Sequence, residues 1–129
     1  MSDAAHVGSF EHDVYRKPFA VRPPTELWDR PSNYRNYEGG DKLPKKMNVW
    51  LVQKTGQKAA SVVSSSSGFE NGDDTEIVAL GYNVGKYYGA VGIGRDGNFL
   101  QWGYHAPPSQ MTDAGRKLFV NCIKYISRF

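Results

Sequence analysis

The pattern of hydrophobic and polar positions divides the chain into residues 1–46, which show no apolar periodicity, and a second part that is patterned throughout. Short runs rich in β-branched and aromatic residues are typical of strands. Such runs predict strands at Met47–Gln53, Ala59–Ser64 and Thr75–Leu80, followed by two strand-like runs at Ala90–Gly94 and Phe99–Tyr104. We therefore expect a mostly antiparallel sheet between about Met47 and Tyr104.

The last two runs flank a turn sequence, Arg-Asp-Gly-Asn, in which Asp96-Gly97 indicates a two-residue hairpin loop. This loop pairs Gly94 with Phe99. Because side chains alternate between the two faces of a strand, one face of the hairpin then carries four apolar residues, which are Val91, Ile93, Leu100 and Trp102. We expect that face to contact the core.

The end of the chain predicts one capped helix. Pro107-Pro108 ends the preceding strand, since proline removes a backbone donor, and Thr112 is a good N-cap for a helix over Asp113–Ser127. Five apolar residues recur at helical spacing and predict its buried face: Leu118, Phe119, Cys122, Ile123 and Ile126.

Residues 1–46 hold five of the seven prolines of the chain, yet they also carry many aromatic residues. Disordered linkers are usually poor in aromatics, so we interpret this stretch as a largely irregular, extended arm that lies on a surface. That surface is either its own domain or a partner. The aromatic residues expected to contact a partner are Phe10, Tyr15, Phe19, Trp28, Tyr34 and Tyr37.

The sequence thus predicts an α+β fold: a compact domain over residues 47–129, with a small, mostly antiparallel sheet and the C-terminal helix packed on one face, preceded by the extended arm. At 129 residues the chain is expected to form one core.

Composition excludes several classes of function. The net charge of +3 is mild and has no basic run, which argues against nucleic-acid binding. No apolar run approaches the ~20 residues that span a bilayer, so no direct membrane insertion is expected. The N-terminus has no signal-peptide pattern, which predicts a cytoplasmic protein; a periplasmic location, or one peripheral to a membrane complex, stays open.

Catalytic and metal-binding motifs are not found in the sequence. Cys122 is alone and lies on the apolar helix face. The three histidines show no metal-ligand spacing, and the Gly-rich pattern at Gly92–Gly97 falls in a hairpin instead of opening a helix. We expect no enzyme activity, catalytic residue, metal or cofactor. The residues that most resemble a ligand site are Arg95, Gln101, Trp102, Tyr104 and His105.

The last fifty residues carry a family resemblance. Ala90–Tyr104, then Ala106-Pro107-Pro108 and Met111–Phe129, resemble the C-terminal portion of large bacterial proteins grouped with the class I glutamine amidotransferase-like (trehalose-utilisation-like) fold. The resemblance implies a hairpin with the last helix packed on it. It does not extend to the catalytic elbow of that fold, because Cys122 lies on the final helix, so amidotransferase activity is not carried over.

Two functional hypotheses follow. The first is a non-enzymatic accessory subunit that docks on a larger protein assembly, with membrane-bound assemblies among the candidates, through the N-terminal arm and exposed aromatics. The second is a small-ligand or carbohydrate-binding module that uses the face around Trp102–His105.

Overall fold

The fold is described from a computed structural model, which covers residues 4–6, 10–36, 38–54, 66–82 and 90–129. Within these ranges, six strands form two antiparallel sheets, and a long helix ends the chain. The predicted α+β class is therefore confirmed. The strands form two three-stranded sheets, however, where the sequence predicts one. The predicted strand at Ala59–Ser64 and the aromatic residue Tyr37 lie outside the described residues.

The first sheet consists of β1 (Ala4–His6), β2 (Glu26–Asp29) and β3 (Lys46–Leu51), in the order β1-β3-β2. β3 corresponds to the strand predicted at Met47–Gln53. Both of its neighbours come from the N-terminal segment, which also forms short 3-10 helices. The sequence leaves open whether this segment lies on its own domain or on a partner. In the structure it lies on its own domain.

The second sheet consists of β4 (Thr75–Leu80), β5 (Val91–Asp96) and β6 (Phe99–Trp102), in the order β4-β5-β6. β4 has the predicted bounds. Among the described residues, an antiparallel bridge between Ala5 and Gly81 connects the two sheets. β1, only three residues long, is thus paired with β3 on one side and contacts Gly81 on the other.

The β5–β6 hairpin has a different register from the predicted one. Asp96 pairs with Phe99, so the loop is Gly97-Asn98. Gly97 has a φ of 56°, and no non-glycine among the described residues has a positive φ, which fits a type II′ turn with glycine first. The pairing is shifted by two residues, and an even shift keeps side chains on their predicted faces. Arg95 joins the apolar face, opposite Leu100.

The C-terminal helix α2 (Asp113–Ile126) begins and ends close to the predicted positions; a one-turn helix, α1 (Ser67–Glu70), precedes β4. Thr112 caps α2, because its Oγ1 accepts a hydrogen bond from the Gly115 amide at 3.0 Å. A methyl group at Gly115 would lie only 2.0 Å from the Val52 carbonyl oxygen. Glycine at this position therefore lets the first turn of α2 pack directly on the backbone that follows β3.

α2 is tied to residues 10–21 by one buried polar side chain. Asn121 is fully buried, and its Nδ2 donates to the carbonyl oxygens of Val14 at 2.6 Å and Phe19 at 2.7 Å. Its Oδ1 accepts from the Phe19 amide at 3.0 Å. The side-chain amide of Asn121 thus supplies the hydrogen-bond partners that the backbone of this irregular segment does not find in a helix or a sheet. The core around this junction includes Val14, Tyr15, Val21, Trp50, Val52, Ile93, Leu118 and Cys122.

Candidate functional site

The buried face of α2 is centred differently from the predicted stripe. Leu118 and Cys122 are buried as expected, and Tyr125 joins them. Ile123, which was expected on this face, is 55% exposed. Phe119 and Ile126 are only half-buried. Apolar surface of the helix therefore remains outside the core.

This surface forms one wall of a groove between β6 and α2, with a volume of about 240 Å³. The hairpin supplies the other wall, where Phe99 at the rim is 63% exposed. Apart from Asn98, the lining is apolar or a thiol: Phe99, Leu100, Trp102, Phe119, Cys122, Ile123 and Ile126. An open apolar groove of this kind is suited to binding apolar side chains.

Trp102 is the central aromatic residue of the groove. Its ring makes edge contacts with Phe119 on α2, at 5.1 Å between centroids, and with Tyr104, at 5.5 Å. The indole Nε1 is buried and has no hydrogen-bond partner among the described residues. Burial also raises the pKa of Cys122 to about 12, so its thiol is neutral at physiological pH and contributes only apolar surface.

A cluster of charged groups holds the end of α2 against the second sheet. The side chain of Arg95 is buried; its Nε donates to Glu76 at 2.5 Å and an Nη to Asp74 at 2.8 Å. The Tyr125 hydroxyl donates to the same Glu76 carboxylate at 2.7 Å. The Phe129 ring covers the guanidinium, with its centroid 3.8 Å from Cζ. Arg95 is thus enclosed by its partners.

These contacts shift the pKa values of the cluster. Burial disfavours the charged form of Glu76, but hydrogen bonds from Arg95, Tyr125 and His12 outweigh it and lower the pKa of the carboxyl group. Burial and the bond to Glu76 raise the pKa of Tyr125 to about 12. Hydrogen bonds to Asp74 and Glu76 raise the pKa of Arg95. The cluster is an ion-pair network with a structural role, since its members bind each other.

The five residues predicted as a ligand site are not brought together. Arg95 is enclosed in the ion-pair cluster, and Gln101 is buried on the opposite face of the hairpin, where its Nε2 donates to a backbone carbonyl at 2.9 Å. Tyr104 is buried. His105 lies 3.3 Å from a buried glutamine side chain. Of the five, only Trp102 lines the groove.

The aromatic residues predicted to contact a partner are also divided. Tyr15 and Tyr34 are buried in the protein and do not form an exposed surface. Phe10 and Trp28 are half-buried, and the Trp28 indole donates to a nearby glutamate at 2.8 Å. Phe19 is exposed, but its backbone is held by Asn121. The N-terminal aromatics therefore serve mainly to fold the segment onto its own domain.

Within the part of the chain that the structure describes, no group of three or more histidine, cysteine, aspartate or glutamate side chains is placed to hold a metal ion. The same residues include no helix with the length and apolar character needed to cross a membrane.

Comparisons of this chain with models of protein families, with curated proteins and with solved structures give no match. The resemblance to the amidotransferase-like fold therefore stays a prediction.

Proposed function

We propose that this protein is a non-enzymatic accessory subunit that docks on a larger protein assembly through the groove between β6 and α2. The observation that carries the proposal is the groove itself, which is open, apolar and built from two well-packed elements. Apolar surface on a rigid support is what protein interfaces use as anchors. A membrane-bound assembly stays among the candidate partners.

The position of the exposed apolar residues supports the groove over the N-terminal segment as the docking surface. Phe99 and Ile123 lie at its rim, and Val120 extends the exposed strip along α2. In the N-terminal segment, Phe19 and Leu27 are also exposed but lie outside the groove lining, while Tyr15 and Tyr34 are part of the folded interior. Docking through the groove leaves that interior intact.

The small-ligand hypothesis receives less support. Its candidate residues point to different parts of the molecule, and Arg95, its charged member, has its donors engaged by Glu76 and Asp74. The groove of about 240 Å³ is also smaller than the roughly 300–1,000 Å³ of sites that enclose small molecules. It fits a few apolar side chains of a partner better.

The proposal is tested by native electrophoresis of extracts from cells that make the protein, using tagged wild-type chain and two variants. Ile123→Glu places a charge at the groove. Leu27→Glu is the matched control, because Leu27 is 63% exposed on β2, away from the groove lining. We expect wild type and Leu27→Glu to migrate with a large complex, and Ile123→Glu to migrate alone. Free migration of the wild type, or equal complex formation by all three chains, would contradict the proposal.

A further inference from the structure

The side of α2 that faces away from the groove carries exposed positive charge. Lys117 and Lys124 lie four residues before and three residues after Asn121, so all three share one side of the helix. At about 100° per residue, this side is roughly 100–180° around the helix axis from the groove-lining residues of α2. Both lysines are exposed, and neither forms an ion pair among the described residues. Their charges are therefore available to a partner on that side.

The N-terminal segment extends this positive surface. Asn121 holds the backbone of Phe19 with hydrogen bonds of 2.7 and 3.0 Å, which places the exposed stretch around Phe19 beside the two lysines. Lys17, in this stretch, is exposed and has no ion-pair partner within the described ranges. Residues 10–22 and 112–129 hold seven of the 16 basic residues of the chain but only three of its 13 acidic residues. Packing of these two segments thus gathers the net positive charge that the sequence spreads along the chain.

Two exposed apolar side chains accompany the lysines. Phe19 and Val120 are each 44% exposed. Val120 lies between the two lysines of α2, three residues after Lys117 and four residues before Lys124. The backbone of Phe19 is held by Asn121, so its ring is presented from a fixed position. This surface therefore combines unpaired cations with exposed apolar groups.

The chemistry of these charges favours an anionic lipid surface over a protein surface. Lysine is a compact, strongly hydrated charge on a flexible stem, and it is depleted at protein–protein interfaces, where arginine is enriched. The arginines of this region are already paired with carboxylates: Arg16 and Arg22 with Glu11, Arg116 with Asp113, and Arg128 with Asp13. Lysines beside an exposed aromatic ring are the combination that holds peripheral proteins at the headgroups of anionic membranes.

We propose that the surface formed by Lys17, Phe19, Lys117, Val120 and Lys124 lies on a bilayer that contains anionic lipids, with the lysines at the lipid headgroups and the Phe19 ring between them. This goes beyond the docking function, because it concerns the other side of α2 and leaves the groove accessible to a protein. Three charges and one ring supply moderate affinity, so binding is reversible and is screened by salt.

Sedimentation of the full-length protein with lipid vesicles tests the proposal. One set of vesicles is phosphatidylcholine alone, and in the other about a third of the lipid is phosphatidylserine. At about 0.1 M salt we expect binding to the anionic vesicles only, followed by release when the salt is raised to about 1 M. Equal binding to both sets, or no binding to the anionic set, would overturn the proposal.

Paired charge variants locate the binding surface. Each lysine removed in Lys117→Gln/Lys124→Gln should weaken binding to anionic vesicles about fivefold, and the pair roughly 25-fold. The matched control is Lys42→Gln/Lys45→Gln, which removes the same charge from two exposed lysines ahead of β3. The control should bind nearly as the wild type does. An equal loss in both double variants would show that only net charge matters, and it would overturn the assignment to this surface.

Tryptophan emission tests the contact made by the aromatic ring. Phe19→Trp places a reporter on the proposed surface, and Leu27→Trp, at a position 63% exposed on β2, is its control. After subtraction of the wild-type signal, we expect anionic vesicles to shift the emission of Phe19→Trp to shorter wavelength and to leave Leu27→Trp unchanged. The absence of a shift at position 19, or the same shift at both positions, would contradict the proposed orientation.

Other anionic partners are distinguished in the same buffer. Poly-glutamate represents an acidic protein segment, and a DNA duplex represents a nucleic acid. Binding of either polymer that is lost in Lys117→Gln/Lys124→Gln, together with no binding to the phosphatidylserine vesicles, would overturn a lipid partner for this surface.

Discussion

Asn121 offers the sharpest test of how the N-terminal segment is held. Asn121→Leu keeps a side chain of similar size but removes three hydrogen bonds to the backbone of Val14 and Phe19. Each bond contributes about 0.5–1.5 kcal/mol, and each buried group left without a partner costs about 1–3 kcal/mol. We therefore expect a loss of about 3 kcal/mol in the free energy of unfolding, or a drop of roughly 10 °C in Tm.

Urea unfolding followed by tryptophan fluorescence and circular dichroism measures this loss. The control is Arg128→Ala, which removes an exposed ion pair between the end of the chain and Asp13. Exposed pairs are worth about 0–1 kcal/mol, so the control should unfold nearly as the wild type does. An Asn121→Leu chain within about 0.5 kcal/mol of wild type would refute the role assigned to this side chain.

Limited proteolysis gives a local measure of the same effect. Within residues 10–34, Lys17, Arg22 and Arg30 are each followed by proline, which blocks trypsin, so Arg16 is the diagnostic site. We expect Asn121→Leu to be cut there at least tenfold faster, since the segment opens more often. An unchanged rate of cleavage would indicate that other contacts hold the segment.

Three further predictions concern packing, chemistry and pH. Gly115→Ala should destabilise the protein although alanine favours helices, because the new methyl group would meet the Val52 carbonyl. Gly68→Ala in α1, where no atom lies within 4 Å of the added methyl group, should instead be neutral or raise the free energy of unfolding by up to about 1 kcal/mol. Equal Tm shifts for the two variants would refute the packing argument. Cys122 should react with a thiol reagent in urea but not in the native protein, because the thiol is buried and neutral; fast native labelling would contradict this. Folding lowers the pKa of Glu76. The carboxylate therefore contributes to the stability of the fold above its unfolded pKa, and this contribution is lost as pH falls through its folded pKa. Wild type should therefore lose stability more steeply than Glu76→Gln below about pH 4.5, and parallel curves would show that the carboxylate contributes no such linkage.

The parts of the fold that follow from local pattern were predictable. β4, the helix cap at Thr112 and the two faces of the hairpin each depend on residues close together in sequence. The hairpin register was not predictable from Asp96-Gly97 alone, because Gly97-Asn98 satisfies a different turn type with the same glycine.

The N-terminal segment shows why the rest could not be predicted. β1 is three residues long and has no pattern of its own, and it becomes a strand only by pairing with β3. Asn121 looks like a surface residue of an amphipathic helix. Its backbone partners lie 102 and 107 residues away, so no local signal marks it as buried.

The candidate site was missed for a related reason. Helical periodicity identifies an apolar stripe but not which edge of the stripe is covered. On α2 the covered arc is shifted toward Asn121 and Tyr125, which leaves Ile123 exposed beside the groove. Only the packing of the N-terminal segment on the other side of the helix determines this shift.

Site-specific photo-crosslinking tests the central claim, that the groove between β6 and α2 is the docking surface, most directly. Benzoylphenylalanine is placed either at position 123, in the groove, or at position 27, which is similarly exposed on the other sheet. In cells that make the protein, the account predicts a discrete crosslink to another protein from position 123 and none from position 27. No crosslink at position 123, or the same crosslink from both positions, would contradict it.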